Sequence, residues 1–203
     1  IYICSVAFLA ASIIGIYQIK VSGSLLEDMP KDAEFFKDIE FFEDEFDGIM
    51  PLEILINTNR KKGVLKLSTL KKMQELEELL IDTPELSQPV SVVDLVKYSK
   101  QAYYNGNPKY YQLPTSQEQN FIFPYLKSLS DGTSDQLNAY VDSTGQFARM
   151  TVFTKDVGTE EMERIEANLW PKIHEIFPKD RYEVTMTGKA LVFQKGTNYL
   201  VKN

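Results

Sequence analysis

Cysteine and histidine are nearly absent from this chain, and their scarcity excludes several kinds of site. Cys4 is the only cysteine and lies in an apolar run, so no internal disulfide can form. His174 is the only histidine, which excludes a histidine cluster for a metal ion and any Ser/His/Asp triad built without it. The sequence offers His174 no partner that would make it a general base.

Positive charge is also scarce, because 29 acidic residues outweigh 22 basic ones and leave a net charge of −7. Binding to phosphates needs a basic face, so this charge balance argues against nucleic acid, and we expect no nucleic-acid partner. The phosphate-loop patterns GxGxxG and GxxxxGK[ST] are missing as well. The densest acidic run, 43–47, is typical of a solvated helix face. We therefore expect no enzymatic activity, no catalytic residue, no cofactor and no metal.

The first twenty residues hold the longest apolar run. Ile1–Ile19 has no charged residue, and as a helix it would span roughly 28 Å, the thickness of a bilayer core. The pattern predicts a transmembrane helix over residues 1–20; a signal peptide or a buried core helix are the alternatives. The flank Glu27–Asp47 has ten acidic and two basic residues, which favours an extracytoplasmic position for the domain after the helix.

The order strand–helix–strand occurs twice in the soluble part and predicts an α+β fold. The expected elements are Pro51–Thr58, Ser68–Ile81 and Gln88–Val93, then Gln146–Thr154, Thr159–Phe177 and Arg181–Thr187. Two such βαβ units in one antiparallel sheet, with the helices on one face, make a ferredoxin-like domain. Leu137–Val141 is expected to pair with Gln146–Thr154 in a hairpin, and Pro171 is expected to kink the second helix.

A phenylalanine-rich helix precedes the first strand. Phe35, Ile39, Phe42 and Phe46 recur at spacings of 4, 3 and 4, which marks one helical face, and Gly48 ends the helix. Such a face is either an apolar ligand surface or a packed core face.

Residues 94–134 interrupt the repeated pattern and hold many tyrosines. Long insertions of this kind are often functional. Tyr103, Tyr104, Tyr110 and Tyr111 are the predicted substrate-binding residues, because amphipathic aromatic rings suit an amphiphilic ligand. A contact with a partner domain, or a lid packed on the sheet, explains the same residues. A short helix is expected from Ser116 to about Leu129.

The closing segment, 188–203, mixes apolar residues with three lysines. It predicts an amphipathic helix at a membrane surface that leads into the next transmembrane helix. A simple C-terminal helix packed on the domain is the alternative.

The layout of the chain resembles the resistance-nodulation-division (RND) exporters. The branch that it resembles holds the mycobacterial large membrane proteins (MMPL) and the hopanoid exporters, related to Patched. The resemblance rests on the apolar helix, the run from Val21 to Asp32, the Phe-rich helix ending near Gly48 and the strand Pro51-Leu52-Glu53-Ile54. It continues at Thr187-Gly188-Lys189 and at Gly196-Thr197-Asn198-Tyr199-Leu200.

This resemblance implies that residues 21–187 are the extracytoplasmic porter domain of a proton-driven transporter in a bacterial inner membrane. The cargo would be hydrophobic or amphiphilic, with lipids foremost, and the partners would be membrane lipids, the other half of the transporter and other subunits. Proton coupling in that family uses further membrane helices that lie outside this chain. A membrane-tethered sensor or interaction domain, or a secreted hydrolase, are the alternatives.

Overall fold

The structure is a computed structural model. It describes residues 29–132 and 135–202, together with eight helical, exposed residues near the start, namely Tyr2, Ile3, Ser5, Phe8, Leu9, Ser12, Ile13 and Gly15. The elements are α1 (Glu34–Phe46), β1 (Met50–Asn57), α2 (Leu67–Ile81), α3 (Val92–Tyr103), a 3-10 turn (Pro108–Tyr110), α4 (Gln119–Gly132), α5 (Asp135–Asn138), β2 (Phe147–Thr154), α6 (Thr159–Ile176), β3 (Glu183–Thr187) and α7 (Lys189–Lys202).

The three strands form one antiparallel sheet in the order β2-β1-β3. Ile54 at the centre lies opposite Met150 of β2 and Met186 of β3. Because β2 and β3 both run antiparallel to β1, they are parallel to each other, and α6 connects them across the central strand. The α+β class and the shared antiparallel sheet are confirmed.

The sheet has one buried face and one open face. Alternate residues of each strand point to opposite faces, and the buried set is Leu52, Ile54, Ile56, Ala148, Met150, Val152 and Met186. The inner sides of α2 and α6 join this core through Leu70, Met73, Leu76, Leu80, Ile165, Leu169 and Ile173. On the open face, Leu55 and Phe153 are 37% and 40% exposed.

The predicted strand over Gln88–Val93 was wrong in its extent. Leu86 and Val90 make only isolated antiparallel bridges, to Thr154 and Thr151 of β2. Ser91 then caps α3 and forms a capping box with Asp94, so the chain becomes helical at Val92. The segment lies at the free edge of β2, where the second strand of a split βαβ unit would stand.

The predicted hairpin before β2 was also wrong in part. The stretch Leu137–Val141 begins inside α5, and only Val141 bridges to Ala148. The turn at 142–145 is present, because the Asp142 carboxylate accepts backbone N–H groups of Gln146 and Phe147 at 2.8 Å each. Pro171 lies within α6, which runs on to Ile176.

The closing segment is helical, as its pattern predicts. Ala190, Leu191 and Gln194 of α7 are buried, and α7 contacts β1, β3 and α6. The second half of α7 exposes Tyr199 and Leu200. The first half therefore packs on the domain.

Within the described part of the chain, no helix has the length and apolar character needed to cross a membrane. The predicted transmembrane helix over residues 1–20 falls mostly outside the described residues.

Candidate ligand-binding cleft

The face of α1 that carries the phenylalanines is not part of the core. None of the residues of α1 is buried, and Phe35, Phe41, Phe42 and Phe46 are 63%, 58%, 53% and 59% exposed. The alternative of a packed core face is therefore wrong for this helix. The periodicity was correct, but no side chain in the described part of the domain closes over this face of the helix.

The rings of α1 nevertheless contact one another. Phe42 and Phe46 are stacked with their centroids 5.4 Å apart, and Phe41 meets Phe42 edge to face at 5.8 Å. Arrangements of this kind add to the stability of aromatic pairs beyond the area that they bury. The result is a continuous apolar ridge along one side of the helix.

Gly48 and Glu43 hold α1 against the end of β2. Gly48 has a φ of +154°, and a Cβ there would lie 2.7 Å from the carbonyl carbon of Thr154. The Ile49 N–H donates to the Thr154 carbonyl at 3.0 Å, and the Asp156 N–H donates to Glu43 Oε1 at 2.7 Å. These contacts place the phenylalanine ridge beside the open face of the sheet.

A cleft of about 510 Å³ lies between α1 and the sheet. This volume falls within the range of about 300–1,000 Å³ that is usual for small-molecule sites. Its apolar walls are Ile39, Phe42, Phe46, Ile49 and Phe153, and its remaining lining residues are Asp47, Gly48, Ser87 and Gln88. A mainly apolar cleft with a few polar groups at its edge suits a ligand with an alkyl or aromatic body.

Ser87 fixes the polar side of this cleft to the sheet. Its Oγ accepts the Phe153 N–H at 2.9 Å and donates to the Gln88 carbonyl at 3.3 Å. Its own N–H donates to the Phe153 carbonyl at 2.8 Å. The backbone around Phe153 is thus paired on that edge, which fixes the position of the aromatic ring in the cleft wall.

The four predicted tyrosines lie at a different place from this cleft, and three of them, Tyr103, Tyr104 and Tyr110, are linked by ring contacts. Tyr104 stacks on Tyr110 at 4.1 Å, and Tyr103 contacts Tyr104, Phe121 and Tyr125 at 5.1–5.4 Å. Tyr111 packs on Tyr98 at 4.7 Å. We refer to these rings of α3, the 3-10 turn and α4 as the tyrosine cluster.

Polar contacts order this insertion. Tyr104 donates its hydroxyl to Glu118 at 3.0 Å, and the nearly buried Lys100 pairs with the same carboxylate at 2.8 Å. Burial alone would raise the pKa of Glu118, but hydrogen bonds from Lys100, Thr115 and Tyr104 lower it to about 2. Burial and the hydrogen bond to Asp94 raise the pKa of Tyr111 above its usual range. These hydroxyls are held by internal acceptors.

A buried acid links α2 to the start of α3. The Glu77 carboxylate accepts the Ser91 hydroxyl at 2.6 Å and the Lys97 ammonium at 3.2 Å. Burial raises the pKa of Glu77, against the opposing effects of Ser91 and Lys97. This pairing lets a carboxylate occupy the inner side of α2 and fixes the point at which the insertion leaves the domain.

A second, larger cleft lies beside α6. Its volume is about 640 Å³. Its lining is a mixture of aromatic, polar and apolar residues, namely Asn59, Trp170, His174, Phe177, Lys179, Tyr182, Glu183 and Val184. His174 stacks on Trp170 at 5.1 Å. Burial first, and then the charge of Lys179, lower the pKa of His174. We favour the smaller cleft as the ligand site because its walls are mainly apolar.

Acidic, cysteine and histidine side chains form no group of three or more that could hold a metal ion in the part of the chain that the structure describes.

Three residues of the cleft, Phe153, Ser87 and Gln88, were not predicted from the sequence as site residues. Phe153 had a signal, because it is a large apolar residue at an outward-facing position of an alternating strand.

No protein-family model matches this chain, and no curated protein is significantly similar to it.

Proposed function

We propose that this chain handles hydrophobic or amphiphilic molecules, lipids foremost, as the extracytoplasmic porter domain of a proton-driven RND-type exporter in a bacterial inner membrane. The observation that carries the proposal is the apolar cleft between α1 and the open face of the sheet. The proposal assigns this cleft a role in binding cargo, not in chemistry on it.

The topology supports the same proposal. The unit β2-α6-β3 straddles β1, and residues 86–90 bridge to the other edge of β2. We interpret this arrangement as a ferredoxin-like plan whose second strand is reduced to two bridges. Porter domains of the RND type are expected to have this plan, and the resemblance in the layout of the chain points the same way.

Exposed apolar rings also favour a ligand over solvent. Phe42 and Phe46 leave more than half of their surface in water, and burying a Phe side chain is worth about 1.5–3 kcal/mol relative to exposing it. A ligand with an alkyl chain that covers both rings recovers part of this free energy. Burial of these exposed phenylalanine rings by a ligand therefore contributes favourable free energy to binding.

A second candidate function is an interaction domain without transport activity. The tyrosine cluster favours it, because Tyr98 is 60% exposed and Tyr103 is 44% exposed on the outside of the insertion. Tyrosine is enriched at protein interfaces, since its ring is apolar and its hydroxyl is polar. In the exporter, the same surface would contact the other half of the transporter.

The test is site-resolved photolabelling of the intact chain with a neutral alkyl probe that carries a diazirine. Mass spectrometry of the labelled peptides locates the probe even where detergent is present. We expect label on the peptides that hold Phe46 and Phe153, and we expect Phe46→Ser to reduce it severalfold.

Phe35→Ser is the matched control. Phe35 and Phe46 lie on the same helix and are exposed to almost the same degree, but only Phe46 lines the cleft. The control variant should label like the unchanged chain. Equal labelling of the two serine variants, or label spread evenly over the surface, would contradict the proposal.

A further inference from the structure

The mainly apolar cleft carries negative charge at one end. Among the described residues that line it, Asp47 is the only charged one, and none is Lys or Arg. Asp47 is the C-cap of α1, with a left-handed backbone at φ 56°. The last carbonyl groups of a helix form the negative end of its dipole. A ligand in the cleft therefore meets a carboxylate and a negative helix end at the same place.

The rest of α1 has the same sign of charge. Lys37 is its only basic residue, and its last turn has none. Its acidic residues, with the cap, are Glu34, Asp38, Glu40, Glu43, Asp44, Glu45 and Asp47. Fields of several like charges add and raise the local concentration of counter-ions. The potential over α1 thus favours cations and opposes anions.

The aromatic walls of the cleft also attract cations. Phe46 precedes Asp47 directly and lines the cleft with Phe42. The face of an aromatic ring is negative and attracts a cation within about 6 Å of its centroid. A quaternary ammonium group at this end of the cleft is attracted by the ring faces and by the carboxylate together.

We propose that the cleft selects amphiphiles with a cationic head group, such as a quaternary ammonium or a protonated amine, and disfavours anionic amphiphiles. This rests on the proposed function, because it names the ligand class of the same cleft. The alkyl chain lies along Phe42, Phe46 and Phe153, and the head group lies beside Asp47.

The experiment uses three photoactivatable probes with one diazirine-bearing alkyl chain and three head groups: trimethylammonium, a neutral sugar and carboxylate. Labelling of the Phe46 and Phe153 peptides is measured against probe concentration on the intact chain. We expect the trimethylammonium probe to half-saturate at the lowest concentration and the carboxylate probe at the highest.

Asp47→Asn tests the assigned carboxylate. Because Asp47 is exposed, removing its charge should weaken labelling by the trimethylammonium probe about two- to fivefold. The neutral probe should be unaffected. Asp38→Asn is the matched control, since it removes the same charge from an exposed position of α1 that does not line the cleft. We expect it to have the smaller effect, because nine residues of helix separate Asp38 from Asp47 by roughly 13 Å, and salt screens exposed charges beyond about 10 Å.

The outcomes separate this inference from the proposed function. Equal labelling by all three head groups at the cleft would overturn the charge selection and leave the ligand site in place. Equal effects of Asp47→Asn and Asp38→Asn would overturn the placement of the head group beside Asp47. No cleft labelling by the neutral probe would refute the proposed function itself. A fall in molecular mass in solution on Phe46→Ser, with no probe bound, would show that a second copy fills the cleft, and would overturn both.

Discussion

Gly48 is the residue whose replacement tests the geometry of the cleft most sharply. A Cβ at this position would lie 2.7 Å from the carbonyl carbon and oxygen of Thr154 and 2.9 Å from the carbonyl carbon of Phe153. These are backbone atoms of β2, which the sheet holds in register with β1. Gly48→Ala must therefore push α1 away from the strand.

The expected cost comes from two sources. A φ of +154° is a conformation that L side chains rarely adopt, and such backbone strain costs about 1–3 kcal/mol. Moving the chain also weakens the 3.0 Å hydrogen bond from Ile49 to Thr154, which contributes about 0.5–1.5 kcal/mol. We expect Gly48→Ala to lower the free energy of unfolding by about 2–4 kcal/mol.

Gly106→Ala is the matched control. Gly106 also has a positive φ, +75°, but a Cβ there meets nothing within 4 Å. Only the backbone strain remains, at about 1–2 kcal/mol. Urea unfolding followed by the fluorescence of Trp170, the only tryptophan, measures both variants. If Gly48→Ala costs no more than Gly106→Ala, or leaves cleft labelling unchanged, the close approach of Gly48 to β2 does not shape the cleft.

Three further predictions concern side chains that form internal hydrogen bonds or ion pairs. Because burial raises the pKa of Glu77 above its ordinary 4.5, this carboxyl contributes stability below that pH that is lost as the pH rises through the folded-state pKa; Glu77→Gln should flatten that decline in urea unfolding, and an unchanged slope would contradict the assignment. Glu118→Ala removes the carboxylate partner of Lys100, whose side chain is 3% exposed and keeps its contact with the Leu113 carbonyl. Because Glu118 itself is partly exposed, we expect a cost of about 1–3 kcal/mol. Hydrogen bonds outweigh burial and lower the pKa of Glu118 to about 2, so the variant should also lose the stability decrease between pH 4.5 and about 2. Tyr104→Phe removes one 3.0 Å hydrogen bond to Glu118 and should destabilise the domain less than Glu118→Ala in the same assay, because the ion pair with Lys100 remains; an equal loss would contradict this.

The sequence predicted those helices and strands that the spacing of apolar residues is enough to identify. Alternation identified β1 and β2, and the spacing of Met162, Ile165, Leu169 and Ile173 identified α6, because each pattern has one face that is buried in the core. Val92 and Val93 were wrongly assigned to a strand, because β-branched residues are typical of strands. The capping box that starts with Ser91 begins α3 at Val92, and both valine side chains are buried from within the helix.

The candidate site was less predictable. The spacing of Phe42 and Phe46 shows that the two rings share a face, and it does not show what covers that face. The cleft requires Phe153, which is far away in the sequence, and the close approach of Gly48 to β2 that brings the two together. The tyrosine cluster shows the reverse case. Proximity in the sequence grouped Tyr103, Tyr104 and Tyr110 correctly, whereas Tyr111 pairs with Tyr98. The contacts of Tyr103 with α4 depend on how α3 and α4 pack.

The most direct test of the central claim measures export in cells that express the intact gene. The rate at which a fluorescent amphiphile leaves preloaded cells is compared between Phe42→Ser/Phe46→Ser and Phe35→Ser, with equal amounts of folded protein in the membrane. We expect the cleft variant to lose most of the export and the Phe35 variant to retain it. Export that is unchanged in the cleft variant, or absent in cells with the unaltered gene, would contradict the claim that this domain handles amphiphilic cargo.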